Sequence, residues 1–163
     1  WAQQDTGVPI ITHTHRGTAG SEQVDLLTSE GADPSRIVVG HMSDNTDLGH
    51  QLSVLDRGAY SGFDRMGLQG IKGFPMDRER LACLTGLLGA GYGEQLLLSH
   101  DYIHALLGRP MTPPESVAPL MSDWTPSHLF RNIVPALRQA GASQEQVEDI
   151  LIHNPRRLFQ GGE

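Results

Sequence analysis

The sequence predicts an α/β fold of parallel strands arranged as part of a (β/α) barrel. Three observations lead there. Short apolar runs are each followed by a helical stretch, giving four strand-then-helix units in a row, and such units need parallel strands joined by right-handed crossovers. The loops after the strands are longer than the loops before them, which favours a barrel built up at one end over a doubly wound sheet. No Gly-x-Gly-x-x-Gly follows the first strand, which weakens a nucleotide-binding alternative. With no repeat and no second domain, residues 1–163 read as one domain.

The elements follow in order. Trp1 to Thr6 reads as the tail of a helix, stopped by Gly7, with Pro9 leading into the strand Pro9-Ile10-Ile11-Thr12. Ser21 to Glu30 puts Val24, Leu27 and Leu26 at helical spacing, and Gly31 ends it. Asp33-Pro34-Ser35 turns into the second strand, Ile37 to Gly40, and the helix Leu48 to Arg57 follows with Leu52 and Leu55 inward. A weaker third strand, Ala59 to Phe63, leads through a glycine-rich loop to the helix Asp77 to Ala90, whose apolar face is Leu81, Leu84, Leu87 and Leu88. After the fourth strand, Gln95 to Ser99, comes a long irregular connection, Tyr102 to Pro126; loops of that length are usually lids or binding loops. Ser127 to Gln139 is a helix that Pro135 should bend or interrupt. Ser143 and Gln146 form a capping box for Gln144 to His153, and Asn154-Pro155 is expected to stop that helix.

Composition narrows the function classes. A formal charge of -7 with a single lysine, Lys72, argues against nucleic acid as a partner. No apolar run approaches the roughly 20 residues of a membrane helix, and Trp1-Ala2-Gln3-Gln4-Asp5 lacks the parts of a signal peptide; no membrane partner and a cytoplasmic location are the expectations. The lone Cys83 excludes an internal disulfide and reads as a small buried hydrophobe in a helix.

Three strands finish on metal-competent side chains, namely His13, His41 and Asp101. In parallel α/β architectures such strand ends lie on one face, so the three are expected to face one cavity. Imidazole nitrogen and carboxylate oxygen suit a borderline divalent ion, zinc first, with an open position for water; Asp101 would both touch the metal and take the proton. His15 and His100 read as supporting groups, and Asp44, Asn45 and Asp47 as a capping cluster for the next helix. Arg65, at the third strand end, either holds a substrate oxygen or pairs with Asp64 or Asp101. His50, His104, His128 and His153 are expected at the surface.

Here a resemblance emerges. Gly7-Val8-Pro9-Ile10-Ile11-Thr12-His13-Thr14-His15, Arg36 through Asp44, Gly62-Phe63-Asp64-Arg65-Met66-Gly67-Leu68, Leu97-Leu98-Ser99-His100-Asp101 and Asn154-Pro155-Arg156-Arg157-Leu158-Phe159 resemble the phosphotriesterase family of the amidohydrolase superfamily, most of all its lactonase-type members. The resemblance implies a (β/α)8 TIM-barrel type fold of which this chain holds the C-terminal four strand-helix units. It implies two divalent metals, zinc or else cobalt, manganese or iron, with His13 and His41 on the more exposed ion and Asp101 on the buried one, relaying protons. Arg65 would face the substrate, and Tyr102 to Trp124 would form the lid over the leaving-group or acyl-chain pocket. The implied reaction is attack of a metal-bound hydroxide on the carbonyl of a lactone or ester, or on the phosphorus of a phosphotriester, by a homodimer of complete barrels.

The departure is as informative. The family's first strand carries a His-x-His pair and its fourth a carboxylated lysine; Lys72, in the loop after the third strand here, cannot fill that bridge. Three of six expected ligands are therefore present. The alternative function is an incomplete, catalytically silent half-barrel, a scaffold or association module whose open edges would drive it to associate.

Overall fold

The computed structural model describes residues 1–160. Four short strands, each three or four residues long, form a parallel sheet: β1 (Ile10–Thr12), β2 (Ile37–Val39), β3 (Tyr60–Phe63) and β4 (Leu96–Leu98), hydrogen-bonded in that order. The register pairs Ile11 with Val38, Val38 with Tyr60, and Gly62 with Leu97. Before, between and after the strands run α1 (Ala2–Thr6), α2 (Gly20–Ser29), α3 (Leu48–Leu55), α4 (Asp77–Gly89), α5 (Val134–Gln139), α6 (Gln144–Glu148) and α7 (Asn154–Gln160).

Strand alternation sorts the apolar residues to two faces. Ile37 and Val39 meet Val24 of α2 and Val54 of α3 on the helix side. Phe63 and Leu96 continue that side into a larger cluster with Leu84 and Leu87 of α4, Leu137 of α5 and Val147 of α6. On the opposite face Val38 and Tyr60 are covered by Leu158 of α7. Cover stops at β1, where Ile11 is 63% exposed on that same face. The helix periodicities hold for Val24 and Leu55, whereas Leu26 points out to solvent.

Two caps are as the residues require. Ser143 Oγ accepts the Gln146 N–H at 3.0 Å while Gln146 Oε1 accepts the Ser143 N–H at 2.8 Å, satisfying two amides that would otherwise lack partners at the start of α6. Asp47 Oδ1 accepts from the His50 N–H at 2.8 Å and caps α3.

Two expectations are corrected. Asn154-Pro155 does not stop the helix: a turn of π-helix over Asp149–His153, closed by the Asn154 N–H on the Asp149 carbonyl, carries the coil on into α7. The same device appears at Leu129–Ile133, closed by the Val134 N–H on the Leu129 carbonyl, one residue before Pro135. A proline ring collides with the carbonyl four residues back and donates no hydrogen bond; a wide turn next to it opens the coil where the ring must fit. The connection Tyr102 to Pro126 is also not wholly irregular, since β5 (Ala105–Leu106) and β6 (Arg109–Pro110) form an antiparallel hairpin and Ala118–Met121 a 3₁₀ turn.

Asn154 explains why α7 sits under the sheet. Fully buried, it donates through Nδ2 to the carbonyls of Gly93 at 2.7 Å and Leu96 at 2.8 Å and accepts from Arg157. Asn154→Ala would strand both carbonyls and is expected to cost about 2–6 kcal/mol, at roughly 1–3 kcal/mol for each buried unsatisfied group; equilibrium urea unfolding reads it, and an unchanged midpoint would refute the role. Cys83 lies in the larger cluster, and burial pushes its thiol up to about 11. At pH 8 the native protein should leave Ellman's reagent unreacted, with one thiol appearing on denaturation.

Candidate metal centre

The C-terminal ends of the parallel strands all open on one side, and the site is built there. The β1 ladder continues one step beyond the strand, the Gly40 N–H donating to the Thr12 carbonyl at 3.2 Å. Only glycine fits at that step, because a Cβ on Gly40 would stand 2.3 Å from the Thr12 oxygen. Buried Thr14 then ties the two loops, its hydroxyl donating to the Gly40 carbonyl at 2.7 Å. Held this way, the His13 and His41 rings meet edge to face with centroids 4.6 Å apart.

His41 and Asp101 both take left-handed backbone, with φ of 62° and 49°. That conformation is uncommon outside glycine and costs on the order of 1–3 kcal/mol where context must enforce it. For His41 the enforcing group is Asp64. Its carboxylate accepts the His41 backbone N–H on both oxygens at 3.0 Å and the ring Nδ1–H at 3.1 Å. With Nδ1 carrying the proton to a carboxylate, Nε2 keeps its lone pair, which is how a ligand histidine is oriented. The Asp64 hydrogen bond raises the His41 pKa above the ordinary imidazole value, against its partial burial.

Asp101 stands 3.9 Å from His41 Nδ1 and accepts from Arg65 Nε at 3.1 Å. Arg65 Nη1 donates to Asp44 at 2.6 Å, and its guanidinium lies over the Phe74 ring, 5.8 Å from the centroid. The neighbouring carboxylates outweigh desolvation and hold the Arg65 pKa above its usual value. Of the two partners open to Arg65 from sequence, Asp101 is the one engaged and Asp64 is not; Asp64 belongs to His41. Asp44 is no helix cap. Its side chain is fully enclosed and answers the two guanidinium groups of Arg65 and Arg80, an enclosed charge being tolerable only when paired.

Tyr102 and Trp124, near the two ends of the long connection, sit together with ring centroids 5.5 Å apart, and the Trp124 indole N–H donates to the His100 carbonyl at 2.6 Å. They line a cavity of about 210 Å³ with Ile103, Met111 and Met121. His100 accepts the Tyr102 N–H through Nδ1, His15 is exposed, and Lys72 is exposed in its loop. Among the described residues, no group of three or more His, Cys, Asp or Glu is arranged to hold a metal ion. The donor chemistry at the site nevertheless suits one: two imidazoles in contact and a carboxylate beside them, on separate strand ends.

His128 also departs from expectation, being buried rather than at the surface. Its Nε2 binds Asp77 at 2.8 Å and its Nδ1 accepts from Asn132 at 2.9 Å. Asp64 was expected only as a partner for Arg65, not as the holder of His41, and Asp77 and Arg80 were not foreseen as parts of this region. Arg80 alone carried a signal, since it falls on the helical stripe of Leu84 and Leu87, where an arginine must be buried with partners.

Comparison with known proteins identifies the family. Residues 1–159 match the phosphotriesterase family. The chain is 38% identical over 167 residues to a phosphotriesterase homology protein of Mycobacterium tuberculosis, covering 99% of this chain and 48% of that one. An organophosphorus hydrolase from Deinococcus radiodurans superposes with a TM-score of 0.91 at 52% identity, over 96% of this chain and 47% of that one. A variant of a Deinococcus radiodurans PTE-like lactonase gives a TM-score of 0.90 at 52% identity, over 96% and 49%. The chain spans about half the length of the curated relatives it matches. It belongs to the phosphotriesterase family, a family of hydrolases with a TIM-barrel type of fold.

Proposed function

We propose that the complete protein is a metal-dependent hydrolase of lactones, related esters or phosphotriesters, and that this chain supplies the C-terminal four strand-helix units of its barrel. The observation that carries the reading is the convergence of His13, His41 and Asp101 at one end of the sheet, with Arg65 in contact with Asp101. His13 and His41 would hold a divalent ion, most simply zinc, with Asp101 beside it; cobalt, manganese and iron suit the same donors. Such an ion, when bound, supplies the Lewis acidity that polarises a carbonyl or phosphoryl oxygen and acidifies water. The remaining ligands would come from the other half of the barrel, and the complete barrels would pair as a homodimer.

The chain's own residues then have separate tasks. Asp64 holds the His41 ring through Nδ1 and the backbone. Asp101 accepts the proton of the attacking water, its carboxylate steadied by Arg65 Nε. Tyr102 and Trp124 present an apolar wall to the leaving group or acyl chain, with the buried indole fixing the wall to the backbone beside Asp101.

Metal analysis of the complete protein together with a panel of lactones and phosphotriesters tests the assignment. His41→Ala there is expected to lower kcat/KM by several orders of magnitude and reduce bound metal, while circular dichroism and melting stay near wild type. Near-normal turnover with metal unchanged would remove His41 from the site.

The silent-module reading applies to the 163 residues alone, and the exposed Ile11 on the β1 edge favours it. By itself the chain is expected to associate in solution and to turn over neither substrate class with added zinc or cobalt. A monodisperse monomer with metal-dependent turnover, seen by light scattering and assay, would overturn this.

A further inference from the structure

We propose that Arg80 is a positioning residue for the site: enclosed between Asp44 and Asp77, it occupies one oxygen of Asp44 and thereby leaves Arg65 free to hold Asp101. Arg80 lies on α4 and is wholly buried. Its Nη2 reaches Asp44 Oδ1 at 3.3 Å and the Leu68 carbonyl at 2.9 Å, its Nη1 reaches Asp77 Oδ1 at 2.9 Å, and its Nε reaches the Ser43 carbonyl at 3.2 Å. One side chain therefore clamps the loop after β2, the loop after β3 and the first turn of α4.

The geometry of Arg65 distinguishes positioning from mere support. A guanidinium beside a carboxylate prefers the two-pronged pairing that uses both oxygens. Arg65 does not make it. Its Nη1 takes only Asp44 Oδ2, at 2.6 Å, and its Nε turns to Asp101 at 3.1 Å. The oxygen it forgoes, Asp44 Oδ1, is the one Arg80 holds. Without Arg80, Asp44 would draw Arg65 into the two-pronged pair and away from Asp101.

The clamp extends to the base of the lid. Asp77 accepts the Gly67 N–H on both oxygens, at 3.1 and 3.0 Å, and binds His128. Gly67, at φ 87°, is pressed against the lid base so closely that a Cβ would stand 2.3 Å from the Asp123 carbonyl oxygen. Gln69 donates to Asp123 at 2.9 Å across the same seam. Asp101, Arg65, Asp44, Arg80, Asp77 and His128 thus form one continuous chain of ion pairs and hydrogen bonds from the site to the segment after the long connection.

The test uses the complete protein labelled with [¹⁵N]arginine, with the Arg65 Nε–H resonance assigned by its loss in Arg65→Lys. Arg80→Lys keeps the charge but not the fork, and is expected to shift that resonance and hasten its exchange with water. An unmoved resonance would overturn the proposal. A second arm rests on the hydrolase reading: Arg80→Lys should lower kcat about 10- to 100-fold with KM held within about threefold and metal content retained, the scale of loss that small misplacements cause. The double variant Arg65→Lys/Arg80→Lys should then lose no more than Arg65→Lys alone, as expected if one residue acts through the other. Additive losses, or full kcat with only a lowered melting temperature, would make Arg80 structural alone. If Arg80→Lys does not fold, Asp77→Asn, which loosens Arg80 from its other side, carries both readouts with the same outcomes. A wild-type protein without turnover would defeat the hydrolase reading while leaving the resonance arm to decide this one.

Discussion

A carboxylate sealed from water must have its charge answered where it stands, and Asp44 is answered by two guanidinium groups from two different elements. Moving such a charge out of water costs several kcal/mol, recovered only when the geometry is close and every oxygen is occupied. The demand fixes more than Asp44. Arg80 has to reach in from α4, which sets how that helix lies against the loop after β2, and Arg65 has to reach back from the end of β3. The polar rim of the sheet is therefore as constrained as its apolar interior, and the candidate site sits on that rim.

The hydrophobic layers supply the other half of the arrangement. Strand alternation turns Ile37, Val39, Phe63 and Leu96 to the helices, leaving Val38 and Tyr60 to face Leu158. With both faces assigned, the strand ends have little freedom, and the histidines that follow β1 and β2 arrive in ring-to-ring contact. The left-handed turns at His41 and Asp101 are where the chain leaves the ladder to present those side chains. Asp64 holds the first of these turns by its grip on the His41 amide.

Much of this was legible in the sequence because strands and helices announce themselves by period. Ile37-Val38-Val39 is a buried strand and Leu96-Leu97-Leu98 a strand buried at Leu96 and half-buried beyond it, as in the pattern, and the residues beyond them gather at one end. Long-range polar pairing has no period. Asp44 sits among Asn45 and Asp47, so local chemistry suggested a cap; its true partners lie 21 and 36 residues away. His128 looked peripheral because the carboxylate it pairs with lies 51 residues upstream. The continuation through Pro155 was hidden for a different reason: a proline reads as a stop unless a widened turn next to it is foreseen, and no side chain encodes that turn plainly.

That widened turn has a consequence for how the chain covers the sheet. A π turn inserts one residue's worth of rotation, about 100° of phase, into an otherwise continuous coil. Val147 ahead of it and Ile150 at its start belong to the large cluster on the helix side, while beyond it Leu158 belongs to the opposite face. One coil thus works as a cranked shaft, its two ends bearing on different surfaces, and a single-residue deletion between Asp149 and His153 would straighten the shaft and swing Leu158 off its seat against Val38 and Tyr60.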